Sequence, residues 1–184
     1  MSSMLENYRG SLSKTFRMIF KNLTKNFYIN LSIIFLIFII DRISKIYVIK
    51  FNFKNSSTEL YTSKFLNINL IWNEGIAFGF FSFSQNNLYN FLTLIISIII
   101  LVILKMIIDN QGIKKYGLLM IFGGALGNLF DRLFYKAVPD FIDFHIEEFH
   151  WFVFNVADIF ITIGVIIMIL FELILDNQKN NEQT

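Results

Sequence analysis

Long apolar runs alternate with polar stretches along this chain, and four of the runs are long enough to be membrane helices. They cover roughly residues 27–51, 88–108, 116–135 and 154–175. A helix needs about 20 apolar residues to cross the hydrocarbon core of a bilayer. The pattern therefore predicts an all-α integral membrane protein, with four transmembrane helices in one domain over residues 27–176.

The segment before the first span has a different pattern, in which apolar residues recur at steps of three and four and basic residues fall on the opposite helical face. The apolar set is Leu12, Phe16, Ile19, Phe20, Leu23 and Phe27, and the basic set is Lys14, Arg17, Lys21 and Lys25. This periodicity predicts a basic amphipathic helix that lies on an anionic membrane surface. We expect residues 1–26 to form an interfacial extension on the cytoplasmic side.

Residues 52–87 are too polar to span a membrane. Between residues 66 and 72, apolar side chains alternate with asparagines, which is the period of a half-buried strand. The glycines of residues 73–79 then predict a tight turn directly after that strand. We expect a small β-sheet cradle outside the membrane.

Basic residues predict which ends of the spans face the cytoplasm. The N-terminal extension is basic, and Lys105, Lys114 and Lys115 flank the short connection between the second and third spans. The connection over residues 136–152 instead carries four acidic residues and one lysine. We therefore expect that connection on the outer side, and both termini, including a polar tail at residues 177–184, in the cytoplasm.

Composition narrows the class further. Only 16% of the residues are charged, whereas soluble domains average about 25%. The chain has no cysteine, which excludes disulfides, thiolate nucleophiles and cysteine-ligated metals. The net charge of +2 is too small to indicate nucleic-acid binding.

Polar and ionisable residues are concentrated between residues 123 and 158, beside apolar runs. Such residues are costly near hydrocarbon and are therefore candidates for a functional site. The predicted topology brings Asp131, Asp140 and Asp158 to the same outer face. Two carboxylates, one ionised and one protonated, are sufficient to hydrolyse a peptide bond without a metal. Spacing alone does not decide which two of these aspartates, or Asp143, form such a pair.

Helical residues of this set also have structural interpretations. Asp41 and Lys45 are four apart, which predicts an intrahelical ion pair as well as support for a site. Asn155 and Asp158, directly before an apolar run, match a helix N-cap with an acid in the first turn.

The remaining acids and the histidines have alternatives of their own. Asp131 with Arg132 could form an interfacial ion pair. Asp140 and Asp143 could be solvated loop acids. His145 and His150 could ligate a metal together with these aspartates. Their spacing of five does not match the helical HExxH arrangement, so we expect no metal site.

Five motifs resemble, in order, those of the lipoprotein signal peptidase family, signal peptidase II. They are Asp41-x-x-x-Lys45, Asn73-x-Gly75-x-Ala77-Phe78-Gly79, Gly123-Gly124-Ala125-Leu126-Gly127-Asn128-Leu129-x-Asp131-Arg132, Asp140-Phe141 and Phe154-Asn155-Val156-Ala157-Asp158. The resemblance covers roughly residues 30–175. It implies a monomeric aspartic endopeptidase of the bacterial inner membrane, without cofactor, whose partners are membrane lipids and prolipoproteins that carry a lipobox. Such an enzyme removes the signal peptide before the lipid-modified lipobox cysteine.

The resemblance also implies roles for individual residues. Asp140 and Asp158 occupy the positions of the catalytic pair. Residues that line or support the site are Asn73, Gly75, Asn128, Asp131, Arg132, Asn155, Asp41 and Lys45. Pro139 departs from the family pattern, which usually has an aliphatic residue there, and it fixes the backbone before Asp140.

Two other classes of protein compete with this interpretation. An ion- or proton-coupled small membrane transporter would also carry intramembrane acids and glycine-rich helices. A relay of that kind should distribute its acids along the spans, whereas here they gather at one face. A non-enzymatic lipoprotein-binding factor would tolerate replacement of both Asp140 and Asp158 by asparagine.

Overall fold

The structure, a computed structural model, describes residues 2–55, 57–75 and 86–181, with side chains described for residues 26–55, 57–75 and 89–174. The chain forms two compact units, residues 1–33 and residues 34–184. The elements are α1 (Ser2–Asn55), β1 (Glu59–Thr62), β2 (Leu66–Asn73), α2 (Asn86–Asp109), α3 (Gly112–Tyr135), β3 (Val138–Ile146), β4 (Phe149–Phe154) and α4 (Val156–Asn181). The first unit is helical throughout its described part, and all residues of the site lie in the second.

Three helices of the described chain are long and apolar enough to cross a membrane: Tyr89–Asp109, Gly112–Tyr135 and Val156–Ile174. They match the predicted second, third and fourth spans to within a few residues at each end. The fourth helix continues to Asn181, so most of the predicted polar tail is helical.

The helix that contains the predicted first span is α1, which runs without a break from Ser2 to Asn55. The boundary predicted at residue 26 is therefore not a helix end. The side chains of residues 1–25, on which the amphipathic prediction rests, lie outside the described residues. A first crossing by α1 and an interfacial position of its beginning stay predictions.

Small residues let α3 and α4 pack with their backbones in close contact. A Cβ atom on Gly124 would lie 2.5 Å from the carbonyl oxygen of Ala157, and one on Gly164 would lie 2.6 Å from the carbonyl oxygen of Gly117. Small residues serve this close approach in membrane helices generally. Asn128, one turn after Gly124, is thereby brought beside the first turn of α4.

The four strands form one antiparallel sheet in the order β1-β2-β3-β4. The predicted strand at residues 66–72 is confirmed as β2. Residues 136–152, which we expected to be an acidic loop, instead fold into β3 and most of β4. Their aromatic and β-branched side chains favour strands, and that composition outweighs the four acids.

The sheet packs on the second half of α1 through a small apolar core. Val48 of α1, Leu70 of β2 and Phe141 of β3 are all buried in it. Pro139 is the second residue of β3, and proline is tolerated near a strand start. The anchored residue Phe141 directly follows Asp140, so the core fixes the position of that carboxylate.

Candidate active site

Asp140 is a buried carboxylate held by two asparagine side chains. It lies on β3 and is 4% exposed. The Nδ2 of Asn73, at the end of β2, donates to Oδ2 of Asp140 over 2.8 Å, and the Nδ2 of Asn155, just before α4, donates to Oδ1 over 2.6 Å. The carboxylate is therefore oriented from both sides by segments of the chain that are far apart in sequence.

Asp158 lies in the first turn of α4 and is held by the same asparagine. The backbone N–H of Asn155 donates to Oδ2 of Asp158 over 3.1 Å, and the N–H of Asp158 donates to Oδ1 of Asn155 over 3.2 Å. This reciprocal pair is a helix cap. Asn155 therefore caps α4 with its side-chain oxygen and donates to Asp140 with its side-chain nitrogen, so the predicted cap is confirmed and does not exclude a role in a site.

The two carboxylates interact electrostatically. Burial first, and the negative charge of Asp158 second, raise the pKa of Asp140 to about 6. The hydrogen bonds from Asn73 and Asn155 oppose the rise in this pKa, because they stabilise the ionised form. Asp140 therefore keeps its proton up to a higher pH than an ordinary aspartate does.

A buried cluster of four charges lies behind Asp158. Lys45 of α1 is fully buried, and its Nζ lies 2.9 Å from Asp41 and 2.7 Å from Asp131. Arg42 donates to Asp41 over 2.7 Å and also pairs with Asp131. With two acids and two bases the cluster carries no net charge, as buried ion pairs require.

Asn128 connects this cluster to Asp158. Its Oδ1 accepts a hydrogen bond of 2.8 Å from Lys45, and its Nδ2 donates one of 2.8 Å to Oδ1 of Asp158. Asp41 also accepts the backbone N–H of Ala157 over 3.1 Å. The predicted Asp41–Lys45 ion pair exists, and it belongs to a network that ties α1 and α3 to the start of α4.

The other predicted residues have definite partners. Asp131 pairs with Arg42 and Lys45 of α1, and not with Arg132 as in the alternative considered above. Arg132 donates to the backbone oxygen of Gly75 over 3.0 Å and to that of Asn128 over 3.2 Å. It thereby anchors the segment after β2, whose remaining motif residues, Ala77, Phe78 and Gly79, lie outside the described residues.

Sequence reasoning missed Arg42. A signal was present in the sequence, because Asp41 and Asp131 carry two negative charges and Lys45 balances only one of them. The next residue after Asp41 supplies the second base. An unbalanced charge in an apolar span is therefore a reason to search its neighbours for the missing partner.

Asp143 is 4% exposed, as is Asp140, so the alternative that these two are solvated loop acids is wrong. The carboxylate of Asp143 faces the ring of His150, whose Nδ1 lies 3.0 Å from Oδ1 and 2.9 Å from Oδ2. Asp143 is three residues from Asp140 on the same strand, an odd spacing that puts the two side chains on opposite faces. Asp143 therefore lies on the face of the sheet away from the carboxylate of Asp140.

Comparison with known proteins shows the family to which the chain is similar. The family model for signal peptidase (SPase) II matches residues 33–174. A lipoprotein signal peptidase of Pelagibacter ubique (strain HTCC1062) is 53% identical over 159 residues, 86% of this chain and 96% of that protein. One of Anaplasma phagocytophilum (strain HZ) is 38% identical over 154 residues, 83% of this chain and 96% of that protein.

The fold is also similar to that of a solved structure. A bacterial membrane enzyme determined by the in meso method at 2.3 Å resolution superposes with a TM-score of 0.66 and 28% identity, covering 82% of this chain and 90% of that one. All five motifs, and both Asp140 and Asp158, lie within residues 33–174, which the family model matches. This chain belongs to the signal peptidase II family.

Proposed function

We propose that Asp140 and Asp158 form the catalytic pair of a bacterial membrane protease that cleaves the signal peptides of prolipoproteins. Family membership establishes the protease, and the assignment of the pair rests on one observation. Among the described acids, these two carboxylates are bridged by a single residue, Asn155, whose side-chain Nδ2 donates to Asp140 and whose backbone N–H donates to Asp158. The bridge holds their positions without neutralising either charge.

The pair can hydrolyse a peptide bond with one shared proton. The ionised carboxylate removes a proton from a water molecule, which attacks the scissile carbonyl carbon, while the protonated carboxyl donates its proton to the carbonyl oxygen. Collapse of the tetrahedral intermediate returns a proton to the departing amine and breaks the C–N bond. The apparent pKa values belong to the pair and not to either residue.

We propose that the substrate reaches this site from the outer half of the bacterial inner membrane. The site lies where α3 ends and α4 begins, whereas Lys114 and Glu172, 3.3 Å apart, mark the opposite ends of these helices. Basic residues gather near that opposite end, which favours the cytoplasm. A signal peptide is itself a membrane helix, and the exposed apolar faces of the spans would contact its neighbouring acyl chains.

Purified protein in detergent, with a metal chelator present, tests this function directly. We expect it to cleave a diacylglyceryl-modified prolipoprotein before the modified cysteine, and to cleave the unmodified precursor at least about tenfold more slowly. Equal cleavage of both precursors would contradict the lipid-dependent part of the proposal. Absence of cleavage by folded protein would contradict the peptidase and favour the transporter alternative.

The raised pKa of Asp140 predicts a pH-rate profile that one substitution should move. Cleavage should decline as pH rises past about 6, because the pair then loses its shared proton. Asn73→Ala removes a donor that stabilises the ionised Asp140, so its pKa should rise further. We expect the declining limb of kcat/KM to move up by about one pH unit, since a hydrogen bond to a charged group contributes roughly 1.5 kcal/mol.

Asn67→Ala is the matched control for this shift. Asn67 lies on the same strand, and its side chain is directed to Asp143 at 3.5 Å. Its limb should stay at the wild-type position. A downward shift in Asn73→Ala, or an equal shift in both variants, would show that the limb does not report Asp140.

A further inference from the structure

Both histidines of this chain lie opposite each other on the hairpin of β3 and β4. His145 and His150 are register partners, and their rings are stacked with centroids 5.1 Å apart. A two-residue turn at Glu147 and Glu148 closes the hairpin beside them. A spacing of five residues, which separates side chains on a helix, brings them together across such a hairpin.

Asp143 completes a group of three ligands. One carboxylate oxygen or ring nitrogen from each of Asp143, His145 and His150 lies within 4.8 Å of the other two. Oδ2 of Asp143 and Nδ1 of His150 lie 2.9 Å apart. Ligands of a tetrahedral zinc ion lie about 3.3 Å apart, given metal–ligand bonds of roughly 2.0–2.1 Å. The separation of the Asp143 and His150 atoms is close to this value, and His145 offers a third ligand within the 4.8 Å limit.

An independent observation points to a missing partner. Nδ1 of His145 is buried and has no hydrogen-bond partner among the described residues. A buried ring nitrogen without a partner is costly and calls for an explanation, of which an ion is one. The side chain of Asp143 is 6% exposed and that of His150 is 52% exposed. An ion from solvent could therefore reach the buried carboxylate of Asp143 on the side of His150.

We propose that Asp143, His145 and His150 bind a divalent transition-metal ion, with zinc as the best match. Two imidazoles and one carboxylate suit zinc, whereas magnesium and calcium prefer oxygen ligands alone. The exposed side of His150 leaves room for water as a fourth ligand. The ion would fix β4 to β3 on the face of the sheet opposite Asp140.

This site is separate from catalysis. Its ligands do not contact the catalytic pair, but β3 carries Asp140 and β4 leads directly into Asn155. A bound ion would therefore stabilise the hairpin that spaces the two carboxylates, without taking part in the reaction. The expectation of no metal came from helical spacing, which does not apply to residues on paired strands.

Cobalt(II) is the probe, because its visible absorption reports the number and type of its ligands. Metal-stripped protein without a histidine tag is titrated with cobalt in detergent, and zinc is then added to displace it. We expect one cobalt per chain with an absorption band typical of tetrahedral coordination, and displacement by one equivalent of zinc. Zinc should also raise the apparent melting temperature.

Three variants decide whether the histidines are the ligands. His145→Ala and His150→Ala should each weaken cobalt binding at least tenfold and remove the thermal shift. Glu148→Gln, which removes a charge from the adjoining turn, should bind within about twofold of the wild type. Retained chelator-resistant cleavage by the histidine variants would establish that they fold.

Equal cobalt binding by the wild type and both histidine variants would overturn the proposal, as would less than one cobalt per chain at saturation. Because binding is measured without substrate, this result does not depend on the assignment of the catalytic pair.

Discussion

Asp140→Asn is expected to reduce the cleavage rate at least about 1000-fold, while the variant remains folded and is no less stable than the wild type at pH 7.5. The loss follows because asparagine can neither accept nor donate the proton that the pair exchanges with water, and general acid–base catalysis contributes up to roughly 10⁴-fold. A loss of activity without a loss of stability is expected of a group that is kept for its chemistry.

The stability of this variant follows from the raised pKa of Asp140. A carboxyl whose pKa is higher in the folded state than in the unfolded state binds its proton more tightly when folded. Its contribution to stability is fully present below pH 3.8 and is lost as pH rises through about 6. This rise of the pKa from 3.8 to about 6 corresponds to roughly 3 kcal/mol. Asp140→Asn should not lose stability as pH rises through this range. One mismatched hydrogen bond should partly offset this gain in stability over the wild type.

Apparent melting temperatures in detergent, measured from pH 4 to pH 7.5, check this expectation beside cleavage rates. Asp143→Asn is the matched control, since it removes an equally buried carboxylate three residues away on the same strand. It should retain cleavage within about tenfold of the wild type. If Asp143→Asn lost activity as severely as Asp140→Asn, spacing on β3 would not distinguish the catalytic acid.

The second large effect is expected at Lys45. Lys45→Met should destabilise the protein by about 3–5 kcal/mol, because it leaves two buried carboxylates with Arg42 as their remaining base. Cleavage should also decline, since Asn128 loses the donor that orients it towards Asp158. Thermal unfolding and kcat measured on the same preparation would separate the two effects.

Two further variants test whether charge balance is the cause. Lys45→Met combined with Asp131→Asn restores a neutral cluster and should recover part of the lost stability. Lys114→Met makes the same change in a partly exposed pair with Glu172, where the expected cost is at most about 1 kcal/mol. A loss of similar size in Lys114→Met, or a double variant no more stable than the single one, would contradict this account of the cluster.

The helical part of the fold could be predicted from the sequence because long apolar runs have few alternatives. The helices at residues 88–108, 116–135 and 154–175 required only length and composition. The continuity of α1 could not be predicted, because the change at residue 26 is a change of polarity and not of helix propensity.

The sheet was only partly predictable. Strand β2 alternates polar and apolar residues, but β3 contains Asp140 and Asp143 among apolar neighbours and is buried on both faces at its beginning. Burial of acids on a central strand depends on partners from elsewhere in the chain, such as Asn73 and His150. Local patterns do not contain that information.

Within the site, short-range relations were predictable and long-range ones were not. The Asn155–Asp158 cap and the Asp41–Lys45 pair follow from spacings of three and four. The contact of Asp131 with Lys45 joins residues 86 positions apart, and no spacing rule reaches that far. The resemblance implied that both residues support the site, but it did not indicate which residues they contact.

The most direct test of the central claim is the single-turnover rate of cleavage of a lipid-modified prolipoprotein by Asp140→Asn, Asp158→Asn and the double variant. Groups that act as one unit have strongly non-additive effects. We expect each single variant to lose at least about 1000-fold and the double variant to be no slower than the slower single one. Substantial cleavage by either folded single variant, or losses that multiply in the double variant, would contradict a catalytic pair formed by Asp140 and Asp158.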